Sequence, residues 1–300
     1  MSQFIHAVPN FSDGQNKSVI ESIVGELKNI EGVKLIDYFP DPNFNRTVIE
    51  VIGRPEPLKE ALLNMAGKSY ELIDMEKQKG DHPRIGAQDT IPLFPLNNIS
   101  LEACAELAES IGEEVFKRYD VPVYFSGENA RTPERKNLDF IRKGQYEGLK
   151  TVAHTPERAP DIGPNKLHPT AGATIVSAAT SGLVAVNIVL GSNDLGIAKT
   201  IAKTVRGPSG GFSTIRAIGL ALKERDQVAI SMNMFDTDQT PVFRAFNLVK
   251  SEADRYGVPV VGTEIVGCLP MEALINCAEH YLRLENFNRE QIIETHLAGL

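Results

Sequence analysis

Arg118-Tyr119-Asp120-Val121-Pro122-Val123 and Arg255-Tyr256-Gly257-Val258-Pro259-Val260 repeat one six-residue pattern. Each closes a helical stretch and opens a strand, because the residue before a proline disfavours helix and β-branched neighbours favour extended backbone. Both lead into turns bearing Gly and Glu, Gly127-Glu128 and Gly262-Thr263-Glu264. Before the second copy, periodicity predicts a strand at Val184–Leu190, a helix at Asp194–Val205, strands at Arg216–Leu222 and Gln227–Met232, and a helix at Pro241–Tyr256. Before the first copy, Phe4–Val8 reads as a strand and Asn10–Gly14 as a turn. Asn16–Ile30 reads as a helix, with Val19, Ile20, Ile23, Val24 and Leu27 on one face. Val33–Tyr38 and Thr47–Val51 form a strand pair around the loop Phe39–Arg46. Helices follow at Glu56–Ile73, with Pro57 in its first turn, and at Ser100–Tyr119, with Ser100 as its cap. The order β-α-β-β-α-β thus fits twice. The chain is expected to be α+β, with two similar split-βαβ (ferredoxin-like) lobes, residues 1–180 and 181–300.

Bulk properties agree with a soluble globular protein. The 300 residues are 42% hydrophobic and 23% charged, enough chain for a sizeable core. A formal charge of −8 argues against general nucleic-acid binding, so an anionic ligand must be met by a local cluster of Arg or Lys. There is neither a basic leader followed by an apolar run nor a stretch long enough to span a membrane, and a cytoplasmic address is expected. Cys104, Cys268 and Cys277 have no metal-ligand or CxxC spacing and read as small buried hydrophobes.

Gly80-Asp81-His82-Pro83-Arg84-Ile85-Gly86 is the densest polar constellation. Two glycines and a proline enclose a histidine, a carboxylate and a guanidinium, between the apolar segments Ala61–Ile73 and Thr90–Leu96. Histidine can take and give a proton near neutral pH, so the stretch is either a proton-transfer loop or a polar turn whose histidine caps a neighbour. Asn45-Arg46-Thr47 enters a strand, where Arg46 could fork onto a carboxylate or form an ordinary surface ion pair. Asp37, at the end of the preceding strand, could face the same place or cap a turn. Thr155–Gly172, rich in Pro and Gly, is a linker or a ligand-contacting loop. Arg206-Gly207-Pro208-Ser209-Gly210-Gly211 ends a helix and could also hold an anion. His6, His154, His280 and His296 lie outside motif-like runs, whereas His168 lies in Leu167-His168-Pro169-Thr170-Ala171-Gly172. No metal spacing and no GxSxG elbow occur, so no metal is expected.

Val8-Pro9-Asn10-Phe11-Ser12-Asp13-Gly14, Asn45-Arg46-Thr47-Val48, Leu72-Ile73-Asp74-Met75 and Lys79-Gly80-Asp81-His82-Pro83-Arg84-Ile85-Gly86-Ala87-Gln88-Asp89 together resemble the formiminotransferase family. Pro133-Glu134-Arg135, Arg142-Lys143-Gly144-Gln145-Tyr146-Glu147-Gly148, Ala159-Pro160-Asp161, His168-Pro169-Thr170-Ala171-Gly172, Ser231-Met232-Asn233 and Pro259-Val260-Val261-Gly262 extend the likeness over essentially the whole chain.

The resemblance implies a dimeric, two-lobed domain with a ligand cleft between its lobes. It implies transfer of the formimino group from N-formimino-L-glutamate to N5 of tetrahydrofolate, the last one-carbon step of histidine breakdown. A stand-alone form without a cyclodeaminase is implied by the end of the sequence at Leu300. The family's catalytic histidine falls on His82, and its folate-contacting stretch falls on Gly163–Gly172, with Gly163, Pro164, His168, Pro169, Thr170 and Gly172 as contacts. Given that chemistry, an imidazole near its ordinary pKa of about 6.5 can serve both proton steps. Asp37 or Asp41 would stabilise the amidine-like cation, and Asn10, Asn45, Arg46 and Arg84 would contact formiminoglutamate. The chain departs from the family where Phe39 replaces an acidic residue, where His6 replaces a Glu, and near Ala179-Thr180, where relatives carry an arginine. The competing readings are a folate-binding protein without turnover and a variant using N-formylglutamate or 5-formyltetrahydrofolate.

Overall fold

Ile5 and Ala7 alternate inward from the first strand, Phe4–Ala7 (β1), and after Val8-Pro9 the line resumes as the short strand Asn10–Phe11 (β2). The computed structural model describes residues 2–180 and 182–299. The turn expected over Asn10–Gly14 therefore starts as strand, because Asn10 pairs with both Val48 and Thr90. Lys17–Gly25 (α1) is capped by Asn16, whose side chain accepts from the Ser18 and Val19 N–H groups. It stops short of Ile30 because its end tightens into i→i+3 bonds, Leu27 N to Val24 O and Lys28 N to Gly25 O. Val33–Asp41 (β3) and Arg46–Gly53 (β4) form a hairpin longer than expected, closing on the pair Asp41–Arg46.

Pro55–Leu72 (α2) begins on a proline. Gln88–Asn97 (β5) follows, and Leu101–Tyr119 (α3) buries Cys104, Leu107, Ala108, Ile111 and Val115 at helical spacing. Val123–Gly127 (β6), Leu138–Arg142 (α4), Gln145–Val152 (α5) and Thr174–Ala178 (β7) complete the residues up to 180. From Thr155 to Gly172 the chain has no regular element.

The sheet of this part runs β3–β4–(β1, β2)–β5–β7–β6. Its first four positions are antiparallel, and β7 and β6 extend it as parallel strands beyond β5.

From residue 181 onward a second compact unit begins. Its elements are Val184–Leu190 (β8), Leu195–Val205 (α6), Ile215–Leu222 (β9), Gln227–Met234 (β10), Val242–Asp254 (α7), Val260–Val266 (β11) and Met271–Leu282 (α8). In β8, Val184, Val186, Ile188 and Leu190 are all buried, and in α6 the buried set is Ala198, Ile201, Ala202 and Val205. Asp194 caps α6 by accepting from Gly196 N and Ile197 N. Gly207–Ser209 forms a 3-10 turn after α6, so the glycine run ends that helix as expected. The sheet order is β11–β8–β10–β9, all antiparallel.

With the strands of each β-α-β-β-α-β motif numbered one to four, both units give the ferredoxin-like order 4-1-3-2. The two-lobed α+β expectation therefore holds, but the hexapeptide echo does not mark equivalent positions. Val258-Pro259-Val260 enters β11, the fourth strand of its motif, whereas Val121-Pro122-Val123 enters β6, outside the motif of the first unit. What the hexapeptides share is local. Asp120 (φ 58°) and Gly257 (φ 66°) each stop a helix in the left-handed region.

Of the cysteines only Cys104 is buried; Cys268 and Cys277 are partly exposed. Among the described residues no helix is long and apolar enough to cross a membrane.

Candidate active site

His82 is held at the tip of a loop whose base is fixed on three sides. Ile85 N donates to Asp89 Oδ1 (2.6 Å), Ala87 N to Ala171 O (2.8 Å), and Ala173 N to Ile85 O (3.1 Å). The glycines are required at this crossing. A Cβ on Gly86 would stand 2.0 Å from Ala173 O, and one on Gly172, itself at φ 74°, would stand 2.2 Å from Ile85 O. The stretch 163–172 is thus stitched to the histidine loop by backbone bonds.

The imidazole is half-buried. Its Nε2 lies 2.8 Å from Arg46 Nη1, and its ring meets Phe44 edge-on at 6.3 Å. A guanidinium can only donate, so Nε2 accepts and the ring proton sits on Nδ1. Burial first, then the charges of Arg46, Arg142 and Arg84, push the His82 pKa down to about 3. The expectation of an unperturbed imidazole is corrected: the ring is neutral at pH 7, held so by burial first and by three cations.

Arg46 lies at the start of β4, opposite Asp41, and the one hydrogen-bond partner of its guanidinium among the described residues is His82. Burial and the nearby Arg142 charge lower its pKa, against the opposing effect of Asp41 and Asp89. Arg84 does something else. It is 3% exposed and all five of its N–H donors are taken. Nε binds Gln78 Oε1 (2.7 Å), Nη1 binds Gln145 Oε1 (2.7 Å) and Glu147 Oε2 (2.9 Å), and Nη2 binds Gln78 O (3.2 Å) and Glu147 Oε1 (2.7 Å). The expectation that Arg84 receives a substrate carboxylate is corrected: it clips the histidine loop to α5, and it has no donor left to give.

The other expected residues divide. Asp41 Oδ1 accepts from Asn43 N and Phe44 N, closing the hairpin that presents Arg46. Asp37 is exposed and pairs along the sheet with Glu50, and among the described residues its carboxylate accepts only from the neighbouring Tyr38 N, so the structure does not bring it to His82. Asn45, at φ 50°, spends its side chain on Gly14 N (2.9 Å) and Lys79 O (2.6 Å). Asn10 Nδ2 donates to Thr90 Oγ1 (2.6 Å), while its buried Oδ1 has no hydrogen-bond partner among the described residues.

In the 163–172 stretch, His168 Nδ1 accepts from Ala171 N (3.0 Å), and Pro169 O accepts from Tyr146 Oη (2.9 Å). Thr170 O accepts from Met75 N (2.8 Å). Gly163, at φ 96°, packs where a Cβ would meet the Phe116 ring at 2.8 Å. Pro164, His168 and Pro169, with Phe116, Asp120, Pro122, Lys166 and Leu167, line a depression of about 600 Å³. His82, Arg46 and Arg142 do not line it.

The chain matches the model of the formiminotransferase domain N-terminal subdomain over residues 4–179 and that of the formiminotransferase domain over 184–298. It is 40% identical over the full length of both chains to a glutamate formimidoyltransferase of Streptococcus pyogenes serotype M1. A glutamate formimidoyltransferase of Thermoplasma acidophilum is 37% identical, over 97% of this chain and 96% of its own. A formimidoyltransferase-cyclodeaminase of Sus scrofa is 38% identical over 95% of this chain and 54% of its own. The chain belongs to the formiminotransferase family.

In this formiminotransferase three further residues meet at the site. Asp89 is wholly buried and joins Ile85 N to Arg142 Nη2. Arg142 ends α4, and its buried Nε has no hydrogen-bond partner among the described residues. Glu147 neutralises Arg84. Arg142 and Glu147 sit in a run that carries part of the family likeness, but no spacing rule connects them to Asp89 and Arg84. Those pairings span 53 and 63 residues.

Proposed function

We propose that the chain transfers the formimino group of N-formimino-L-glutamate to N5 of tetrahydrofolate, giving 5-formiminotetrahydrofolate and L-glutamate. The observation that carries this reading is a neutral imidazole, His82, on a loop bonded directly to the 163–172 stretch that the family likeness assigns to folate. N5 attacks the formimino carbon, and as the new N–C bond forms the N5 proton passes to the imidazole. Breaking the carbon–nitrogen bond to glutamate returns that proton to the departing nitrogen, so one group serves both steps. Nε2 becomes free to accept when Arg46 turns to a substrate carboxylate. The same carboxylate neutralises the nearest charge that depresses the histidine.

In this reading Asp41 stabilises the amidinium on the donor, and Asn10 Oδ1 accepts one of its N–H groups. Asn45 keeps the Arg46 hairpin in place, and Asp37 has no part. Gly163, Pro164, His168, Pro169 and Thr170 contact folate, and Gly172 allows the close crossing with Gly86. Residues up to 180 form the N-terminal subdomain and those from 181 the C-terminal one. The protein works in the cytoplasm as a homodimer. Purified protein supplied with formiminoglutamate and tetrahydrofolate is expected to form both products. His82→Ala should be slower by about 10²–10⁴-fold, the span of general acid–base catalysis. Equal rates would remove the mechanism, and no product from the wild type would remove the reaction.

A further inference from the structure

We propose that Arg142 is a second carboxylate-binding residue of the donor site, sharing with Arg46 the two carboxylates of formiminoglutamate. The proposal rests on the reaction above and adds a residue to it. Formiminoglutamate carries two carboxylates at opposite ends of a short chain, and a single guanidinium can fork onto only one. Arg84, the other arginine of the histidine loop, has every donor committed to Gln78, Gln145 and Glu147. Arg142 is placed differently. It ends α4 with a side chain only 13% exposed, and Asp89 takes Nη2 alone.

Its Nε has no protein acceptor among the described residues although it is buried, a state that costs free energy unless a ligand or water supplies one. Arg46 is the other under-used cation, with a neutral imidazole as its one hydrogen-bond partner among the described residues. The two guanidiniums stand close enough for Arg142 to lower the Arg46 pKa, and both depress His82. Like charges gathered on one half-buried histidine are stabilised by an anion with more than one carboxylate. Two carboxylates held by two forks would fix the formimino carbon relative to the ring.

The variants are Arg142→Lys, which keeps the charge and the Asp89 pair but lacks the Nε–H and the planar fork, and Arg142→Gln. Thermal melting first establishes that each is folded, and Arg142→Lys decides the matter should Arg142→Gln fail to fold. In Arg142→Lys the KM for formiminoglutamate should rise by about 10- to 100-fold. The KM for tetrahydrofolate should stay within about twofold, and kcat should fall less than KM rises. Calorimetric titration with L-glutamate, which carries both carboxylates, should show the same loss of affinity. A folded Arg142→Lys protein with wild-type KM and wild-type glutamate affinity would overturn the proposal while leaving the transfer reaction intact. Wild-type protein that binds L-glutamate through Arg142 yet makes no product would overturn the reaction and leave the anion site standing.

Discussion

A histidine already charged at neutral pH could not take the proton that N5 must lose, and His82 is kept neutral by burial and three arginines. Two consequences follow from the sign of that shift. Its ring signals in NMR spectra should not titrate between about pH 5 and 8, because the folded value is about 3. Arg46→Gln removes the largest depressing charge, so the midpoint should move upward; a midpoint that stayed in place would show that Arg46 does not act on the ring. Stability carries the same signature. Below about 6.5 the unfolded chain binds a proton that the folded chain refuses, so this residue's contribution falls as pH drops from about 6.5 towards about 3. In His82→Asn that part of the pH dependence should disappear, read as a flatter plot of melting temperature against pH over about 7 to 4. Most of this shift is invisible in Gly80–Gly86 taken alone, because its largest cause is burial and, of the three charges, only Arg84 lies in the loop while Arg46 and Arg142 enter from β4 and α4.

At the scale of elements, two crossing backbones set the geometry between the histidine loop and the 163–172 stretch. Gly172→Ala places a Cβ 2.2 Å from Ile85 O at φ 74°, combining a left-handed penalty with a backbone clash. It should destabilise the protein by more than about 2 kcal/mol, and transfer activity should fall with it. Gly144→Ala is the control: it is also left-handed, at φ 87°, but its Cβ would have no atom nearer than 3.2 Å. There the loss should be nearer to about 1 kcal/mol in a urea melt. Equal losses in the two variants would mean that the crossing has no special tightness. The glycines were legible as punctuation in the sequence, but which strands they let approach was not, since Gly86 and Gly172 are far apart along the chain. The same distance hid α4 and α5, five and eight residues long, which are too short to show a clear helical period. It also hid β7, a buried parallel strand with no alternation to reveal it.

For the whole molecule, the alternating order of strands and helices was enough to place a β-α-β-β-α-β motif in each half. The hexapeptide echo is a shared helix stop rather than a duplicated position. In both places a left-handed residue ends a helix and Val-Pro-Val leads into a strand. Side-chain sites were legible where one loop carried them, as with His82, and illegible where they were assembled across sequence, as with Arg142 and Asp89.

The cores bear on a last expectation. The buried cluster of the first unit is drawn entirely from residues between Ile5 and Ala178, and that of the second from Val184 to Ala273. A unit that borrows no buried side chain has its folding enthalpy within its own sequence, and about 120 residues suffice for a cooperative domain. A fragment of residues 181–300 should therefore unfold in one urea transition and give a dispersed amide spectrum, while Ile201→Ala, which removes a fully buried side chain of α6 from this core, should weaken it by about 2–5 kcal/mol. A fragment without a cooperative transition would show that the second core is incomplete when separated from the first.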